Sequence, residues 1–239
     1  MMCRNMREGI VIAVAQPLCV SLDVATNALA HAAAIRASNA HVVVFPELSL
    51  TGYELDAPTL DAGDPRLAPI AAACAETGAL ALVGAPVAGE AGRRHIALLA
   101  VDGTGASVAY RKTWLGGAEA DWFAPGDGPA VLEVAGRRLG LAICKDTGVP
   151  QHASDTASLG IDVYVAGTCE SAEDANRQDE RARRIATYHG VWVAFASFAG
   201  PTGGGYTDTA GRSGIWSADG VVVVQAGSGA GEVVSTTLT

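Results

Sequence analysis

Short apolar runs rich in Val, Ile and Ala alternate with longer stretches of helical spacing along almost the whole chain, and this alternation limits the fold more than any other feature. Residues 10–16, 41–46, 79–87, 138–143, 161–166 and 191–198 are too short to span a membrane and apolar enough to be buried, so they read as interior strands. Helices are expected over residues 24–38, with Asn39 near the end, and over 65–76, 151–159 and 171–189. The last has the spacing of a capping box, Ser171 with Asp174, and stops at Gly190. Hairpins are expected around Asp102-Gly103, Ala135-Gly136 and Asp219-Gly220, which supply the positive φ angles of tight turns. A layered α/β fold follows, with mixed sheets and helices on their outer faces.

Composition narrows the function. With 49% hydrophobic and 17% charged residues the chain has ample material for a core. No Pro/Ser-rich spacer or charge block divides residues 1–239, so a single domain is expected. The net charge of −9 argues against a nucleic-acid partner, and the one dense basic stretch, residues 177–184, is interleaved with Asp179 and Glu180 and reads as a solvated helix face. A polar start followed by about seven apolar residues is too short for a secretion signal or membrane span, which predicts a cytoplasmic protein with no membrane partner. The five cysteines Cys3, Cys19, Cys74, Cys144 and Cys169 are odd in number and lack CxxC spacing, as reduced thiols would be. No cofactor and no metal is expected: residues 203–205 read as a flexible turn rather than a phosphate loop, and no metal-ligand cluster stands out.

Three residues of different chemistry sit where apolar runs end: Glu47, Lys112 and Cys144. Strand ends in α/β folds point into the crevice where chemistry collects, so a carboxylate, an ammonium and a thiol from distant segments can meet there, as in a thiol hydrolase. A competing thiol chemistry would pair Cys144 with His152 or His189, but these read as structural or surface groups at helix ends.

The contexts of the three residues are more specific than the residues themselves. Phe-Pro-Glu-Leu-Ser-Leu-Thr-Gly-Tyr ending at Tyr53, Tyr-Arg-Lys-Thr-Trp-Leu around Lys112 and Leu-Gly-Leu-Ala-Ile-Cys-Lys-Asp around Cys144 resemble the signature segments of the nitrilase, or carbon–nitrogen hydrolase, superfamily, in its order and at its usual separations. The resemblance runs from residues 13–16 to residues 211–216 and implies a four-layer α-β-β-α sandwich of two mixed sheets flanked by helices. It implies Glu47 as general base, Lys112 as electrostatic stabiliser, Cys144 as nucleophile, and Glu119 as a further carboxylate that orients the lysine or the substrate. A carboxylate that takes the thiol proton and an ammonium that holds the resulting charge are expected to raise the thiolate fraction. Lys112 and the Lys145 backbone N–H are the expected oxyanion donors.

The implied substrate is a small amide, nitrile or carbamoyl compound, and the triad alone does not separate amidase, nitrilase and N-carbamoyl amino-acid hydrolase. A catalytically idle assembly or binding homologue is the non-enzyme alternative. Tyr53, Trp114, Lys145 and Thr168 are read as substrate-contacting residues, and N-carbamoyl amino-acid hydrolysis would need a cation for the substrate carboxylate, for which Lys145, Arg177 and Arg212 are the candidates. The resemblance further implies a homodimer or larger even-numbered oligomer, paired through helices beside the site. The segment after Cys144, Lys-Asp-Thr-Gly-Val-Pro-Gln, lacks the Arg, the Phe and the final Glu many members have, which predicts a different pocket wall.

Overall fold

In the computed structural model, which describes residues 9–238, the strands form two six-stranded sheets. In the first, β1 (Ile10–Gln16), β2 (Val42–Val44) and β3 (Leu80–Ala88) are parallel, and β4 (Arg94–Asp102) and β5 (Gly105–Arg111) continue antiparallel from β3. In the second, β6 (Ala130–Val134) pairs antiparallel with β7 (Arg137–Ile143), β8 (Val163–Thr168) and β9 (Trp192–Ser197) follow in parallel, and β10 (Gly214–Trp216) and β11 (Val222–Gln225) close the far edge antiparallel. β12 (Glu232–Leu238) returns to the first sheet, antiparallel to β1. Helices α1 (Val24–Ser38) and α2 (Ala68–Thr77) cover one outer face, and α3 (Pro150–Ser158) and α4 (Ala175–His189) the other.

The period of two along each strand builds the layers. Ile10, Ile12 and Val14 of β1, Val42 and Val44 of β2, Leu139, Leu141 and Ile143 of β7, and Val163 and Val165 of β8 share one core between the sheets. The alternate residues face the helices: Ala13, Ala15 and Val43 pack with Ala28 and Ile35 of α1, whereas Ala142, Tyr164 and Ala166 pack with Ala182 and Ile185 of α4. Because both faces of the central strands are buried, the runs are continuously apolar in the sequence. The α-β-β-α sandwich is the one the motifs imply.

Local differences have local causes. The Ser171–Asp174 capping box does not form: Ser171 is tied to Thr209 in an isolated bridge, residues Ala172–Asp174 make a 3-10 turn, and Asp174 pairs with Arg177 at 2.8 Å instead of capping. α4 therefore starts four residues later than expected, at Ala175. The helix expected from residue 65 opens as a 3-10 turn, Pro65–Leu67, before α2. β12 is a strand the alternation did not announce, since as an edge strand it keeps Ser235, Thr236 and Thr237 among its side chains. Cys3 lies outside the described residues; Cys19, Cys74, Cys144 and Cys169 are all free thiols.

Candidate active site

β2, β5 and β7 deliver Glu47, Lys112 and Cys144 from the same ends of the two sheets. After Val44 the chain leaves β2 through Phe45, whose N–H donates to Leu82 O at 2.9 Å, and turns at Pro46 to Ser49. This turn is pinched between the sheets. A Cβ on Gly84 of β3 would lie 2.4 Å from Pro46 O, and one on Gly167 of β8 would lie 2.5 Å from Phe45 O, so both glycines leave the room that Glu47 needs. Lys112 is held by backbone bonds on both sides, donating to Ile96 O and accepting from Gly126 N, each at 2.8 Å. Cys144 opens a 3-10 turn, Cys144–Gly148, with φ of 41°, a left-handed conformation that costs a non-glycine residue roughly 1–3 kcal/mol. Asp146 Oδ2 accepts from Ile143 N at 2.9 Å and Thr147 Oγ1 donates to Cys144 O at 2.7 Å, which fixes the turn.

The side chains then converge. Lys112 Nζ donates to Glu47 Oε1 at 2.6 Å and to both Glu119 oxygens at 2.8 and 2.7 Å. Glu119 sits in a 3-10 turn, Gly117–Asp121, and also accepts from Tyr53 OH at 2.9 Å and from Gly116 N at 2.6 Å. Glu47 Oε2 is buried without a hydrogen-bond partner, and the Cys144 thiol interacts with the same carboxylate. Cys144 Sγ donates to Cys169 O at 3.3 Å.

Electrostatics separates the three groups. Burial pushes the Glu47 carboxyl above the usual carboxylate range, with Lys112 opposing and Glu119 reinforcing that rise. Burial alone would lower Lys112, but the charges of Glu47, Cys144 and Glu119 outweigh it and hold the ammonium on. Burial, followed by the charge of Glu47, raises Cys144 well above an ordinary thiol, and Lys112 opposes this without overcoming it. The expected rise in thiolate is therefore corrected: burial and the charge of Glu47 shift Cys144 toward the protonated thiol.

Cys144, Lys112 and Glu119 open into one cavity of about 400 Å³, whose wall includes Tyr53, Lys145, Cys169, Glu170, Arg177, Arg181 and Tyr206. Two residues read as substrate contacts lie elsewhere. Thr168 shares the helix-facing parity of Tyr164 and Ala166, and its hydroxyl donates to Gln178 Oε1 at 2.9 Å; its neighbour Cys169 is the one in the wall. Trp114 is 44% exposed outside the cavity, with its backbone N–H on Asp146 Oδ1 at 2.9 Å. Arg212 is also outside, paired with Asp179. Neither histidine meets the thiol: His152 has a phenol on each ring nitrogen, Tyr110 and Tyr164, both at 2.9 Å, and His189 lines a separate groove between α3 and α4.

Sequence reasoning missed Glu170 and Arg181, an ion pair of low exposure that links the end of β8 to α4 beside the nucleophile. The Arg181 guanidinium lies 3.3 Å from where a Cβ on Gly148 would be, so the absence of a side chain there makes its place. Among the described residues, no group of three or more His, Cys, Asp and Glu is arranged to hold a metal ion, and no helix is long and apolar enough to cross a membrane.

Known proteins share this arrangement of layers. A variant of the amidase from Nesterenkonia sp. AN1 in complex with butyramide superposes with a TM-score of 0.85, at 24% identity over 99% of this chain and 94% of that one. Nit3 of Saccharomyces cerevisiae, a member of branch 10 of the nitrilase superfamily, gives a TM-score of 0.85 at 19% identity over 97% and 90%. In sequence the chain is 30% identical to a hydrolase in the pqqF 5' region of Pseudomonas protegens, over 75% of this chain and 66% of the relative. It is 29% identical to an (R)-stereoselective amidase from Pseudomonas sp., over 56% and 50%. The chain thus spans just under two thirds and half of the lengths of these relatives. Residues 11–239, including every strand end that brings a side chain to the cavity, match the model of one family, and the chain belongs to it: the carbon–nitrogen hydrolases.

Proposed function

We propose that this chain hydrolyses a small non-peptide amide to a carboxylic acid and ammonia through a thioester on Cys144. The observation that carries the reading is the cavity itself, where Cys144 and Lys112 line one space of substrate size and Glu47 is hydrogen-bonded to Lys112 Nζ at 2.6 Å. Cys144 Sγ bonds to the amide carbon while its proton passes to the unpartnered Glu47 Oε2. The carbonyl electrons move to oxygen, where Lys112 Nζ and the Lys145 backbone N–H receive the charge. Glu47 then gives the proton to the amide nitrogen, the C–N bond breaks, and ammonia leaves. Water attacks the thioester with Glu47 again taking a proton, the C–S bond breaks, and the acid departs as the thiol is restored.

Glu119 touches Lys112 with both oxygens and keeps it charged and aimed. The raised Glu47 supports a base that both takes and returns a proton near neutral pH. Amidases among the relatives and structural neighbours favour an amide over a nitrile. A homodimer or larger even-numbered oligomer and a cytoplasmic location belong to the same reading.

An ammonia-release screen over simple amides, nitriles and carbamoyl compounds tests it, with mass spectrometry of the trapped acyl-enzyme. Amides should release ammonia, and Cys144→Ala should abolish both release and adduct. Ammonia release that survives in Cys144→Ala would refute the mechanism.

A further inference from the structure

Only two of the chain's sixteen basic residues are lysines, Lys112 and Lys145, and both line the same cavity. Everywhere else the chain uses arginine, so Lys145 is not one of a population of surface lysines. The cavity's charges fall into two zones. In the inner zone Glu47 and Glu119 both engage Lys112, so that ammonium is already taken up by carboxyl groups of the protein. In the outer zone Arg181 pairs with Glu170 and Arg177 with Asp174, whereas Lys145 is exposed and makes no ion pair or side-chain hydrogen bond with any described residue. The mouth therefore carries one uncompensated cation, in a protein whose net charge is −9.

We infer that the substrate is a small amide bearing a carboxylate at the end remote from its scissile group, and that Lys145, with Arg177 of the same cavity wall, reads that carboxylate. The inference rests on the amide-hydrolase reading above. Orientation follows from the two zones: the inner zone offers a substrate carboxylate no free cation and admits the neutral amide, while the outer ammonium attracts the charged end. Lys145 follows the nucleophile directly in the chain, so its ammonium is tethered to the turn that carries Cys144. A monoamide of a short dicarboxylic acid has this chemistry.

The test compares kcat/KM for succinamate, its methyl ester, butyramide and the cationic 3-aminopropanamide in the full chain and in Lys145→Met, Lys145→Arg and Arg177→Met. The wild type should prefer succinamate over its methyl ester by roughly tenfold or more, as a charge-assisted hydrogen bond predicts, and should turn over 3-aminopropanamide worst. Lys145→Met should remove most of that preference through KM, Arg177→Met should reduce it, and Lys145→Arg should keep it. Hydrolysis of the ester or butyramide as efficiently as succinamate by the wild type would overturn the inference and leave the amidase reading standing, as would a succinamate preference undiminished in Lys145→Met. Failure to hydrolyse any of the four amides would take down the amidase reading and the inference with it.

Discussion

Gly167→Ala should disable the site without touching any of its reactive groups. Gly167 lies on the parity of β8 that faces the other sheet, and a Cβ there would sit 2.5 Å from Phe45 O, 2.9 Å from Glu47 N and 3.0 Å from Pro46 C. Ordinary contact begins near 3.5 Å, so the turn bearing Glu47 would have to yield by about 1 Å. It has nowhere to go, because Gly84 closes the opposite side, where a Cβ would already be 2.3 Å from Leu48 N. Overpacking of this kind costs about 1–3 kcal/mol, or about 2–4 °C of melting temperature for each kcal/mol in a chain of this size. A shift of about 1 Å in a catalytic group costs on the order of a hundredfold in rate, so kcat should suffer far more than stability. Ammonia release on the best amide gives kcat, and a thermal melt gives stability. Gly63→Ala, whose Cβ would meet nothing within 4 Å, is the control. A Gly167→Ala protein that keeps kcat within about twofold of wild type would refute the argument that these glycines set the position of Glu47.

Two further outcomes follow from buried titrating groups. In the proposed mechanism Glu47 accepts the thiol proton only as a carboxylate, and its pKa is raised by burial, so kcat/KM should decline on acidification well above the ordinary carboxylate value of about 4.3. The alkaline side should stay flat beyond the usual thiol range, because Cys144 is held well above it; a profile with its acid limb near pH 4 would contradict the site's electrostatics. His31 on α1 stacks on Phe45 at 4.2 Å and bonds Ser49 Oγ at 2.8 Å, both in the Glu47 turn, and burial depresses its pKa from 6.5 to about 4. A depressed imidazole takes up its proton on unfolding, so its contribution is complete above pH 6.5 and is lost as pH falls toward 4, by about 3 kcal/mol. Urea unfolding across that window should show a shallower loss in His31→Gln than in wild type, and equal slopes would rule the role out.

The layers were legible because central strands buried on both faces leave uninterrupted apolar runs, and because Asn39 and Gly190 stop their helices in left-handed conformations, with φ of 48° and 64°. β12 was not legible, since its pairing with β1 is an exchange of backbone bonds that Ser and Thr make as well as Val. Glu47, Lys112 and Cys144 stood out because each ends a run, which is where the sheet stops and the crevice begins. Thr168 was misplaced by one residue, which on a strand is a change of face: Val163, Val165 and Gly167 set the parity that puts Cys169 in the wall and Thr168 under α4. Glu170 and Arg181 left no signal, because their contact joins a strand end to a helix and depends on nothing local to either.

The state of the thiol could not have been read from residue types at all. A carboxylate and an ammonium near a thiol favour thiolate only if the ammonium acts mainly on the sulfur and water still solvates the group. Here Cys144 is 9% exposed, and Lys112 is shared between Glu47 and Glu119, whose charges it must balance first. At the sulfur, burial first and the charge of Glu47 second act to keep the proton on, and Lys112 opposes them without overcoming them. Under the proposed function this arrangement makes the resting enzyme unreactive toward adventitious electrophiles. In the proposed mechanism its proton moves to Glu47 only as a carbonyl carbon accepts the sulfur's electrons and the developing oxyanion gives Lys112 a new charge to stabilise.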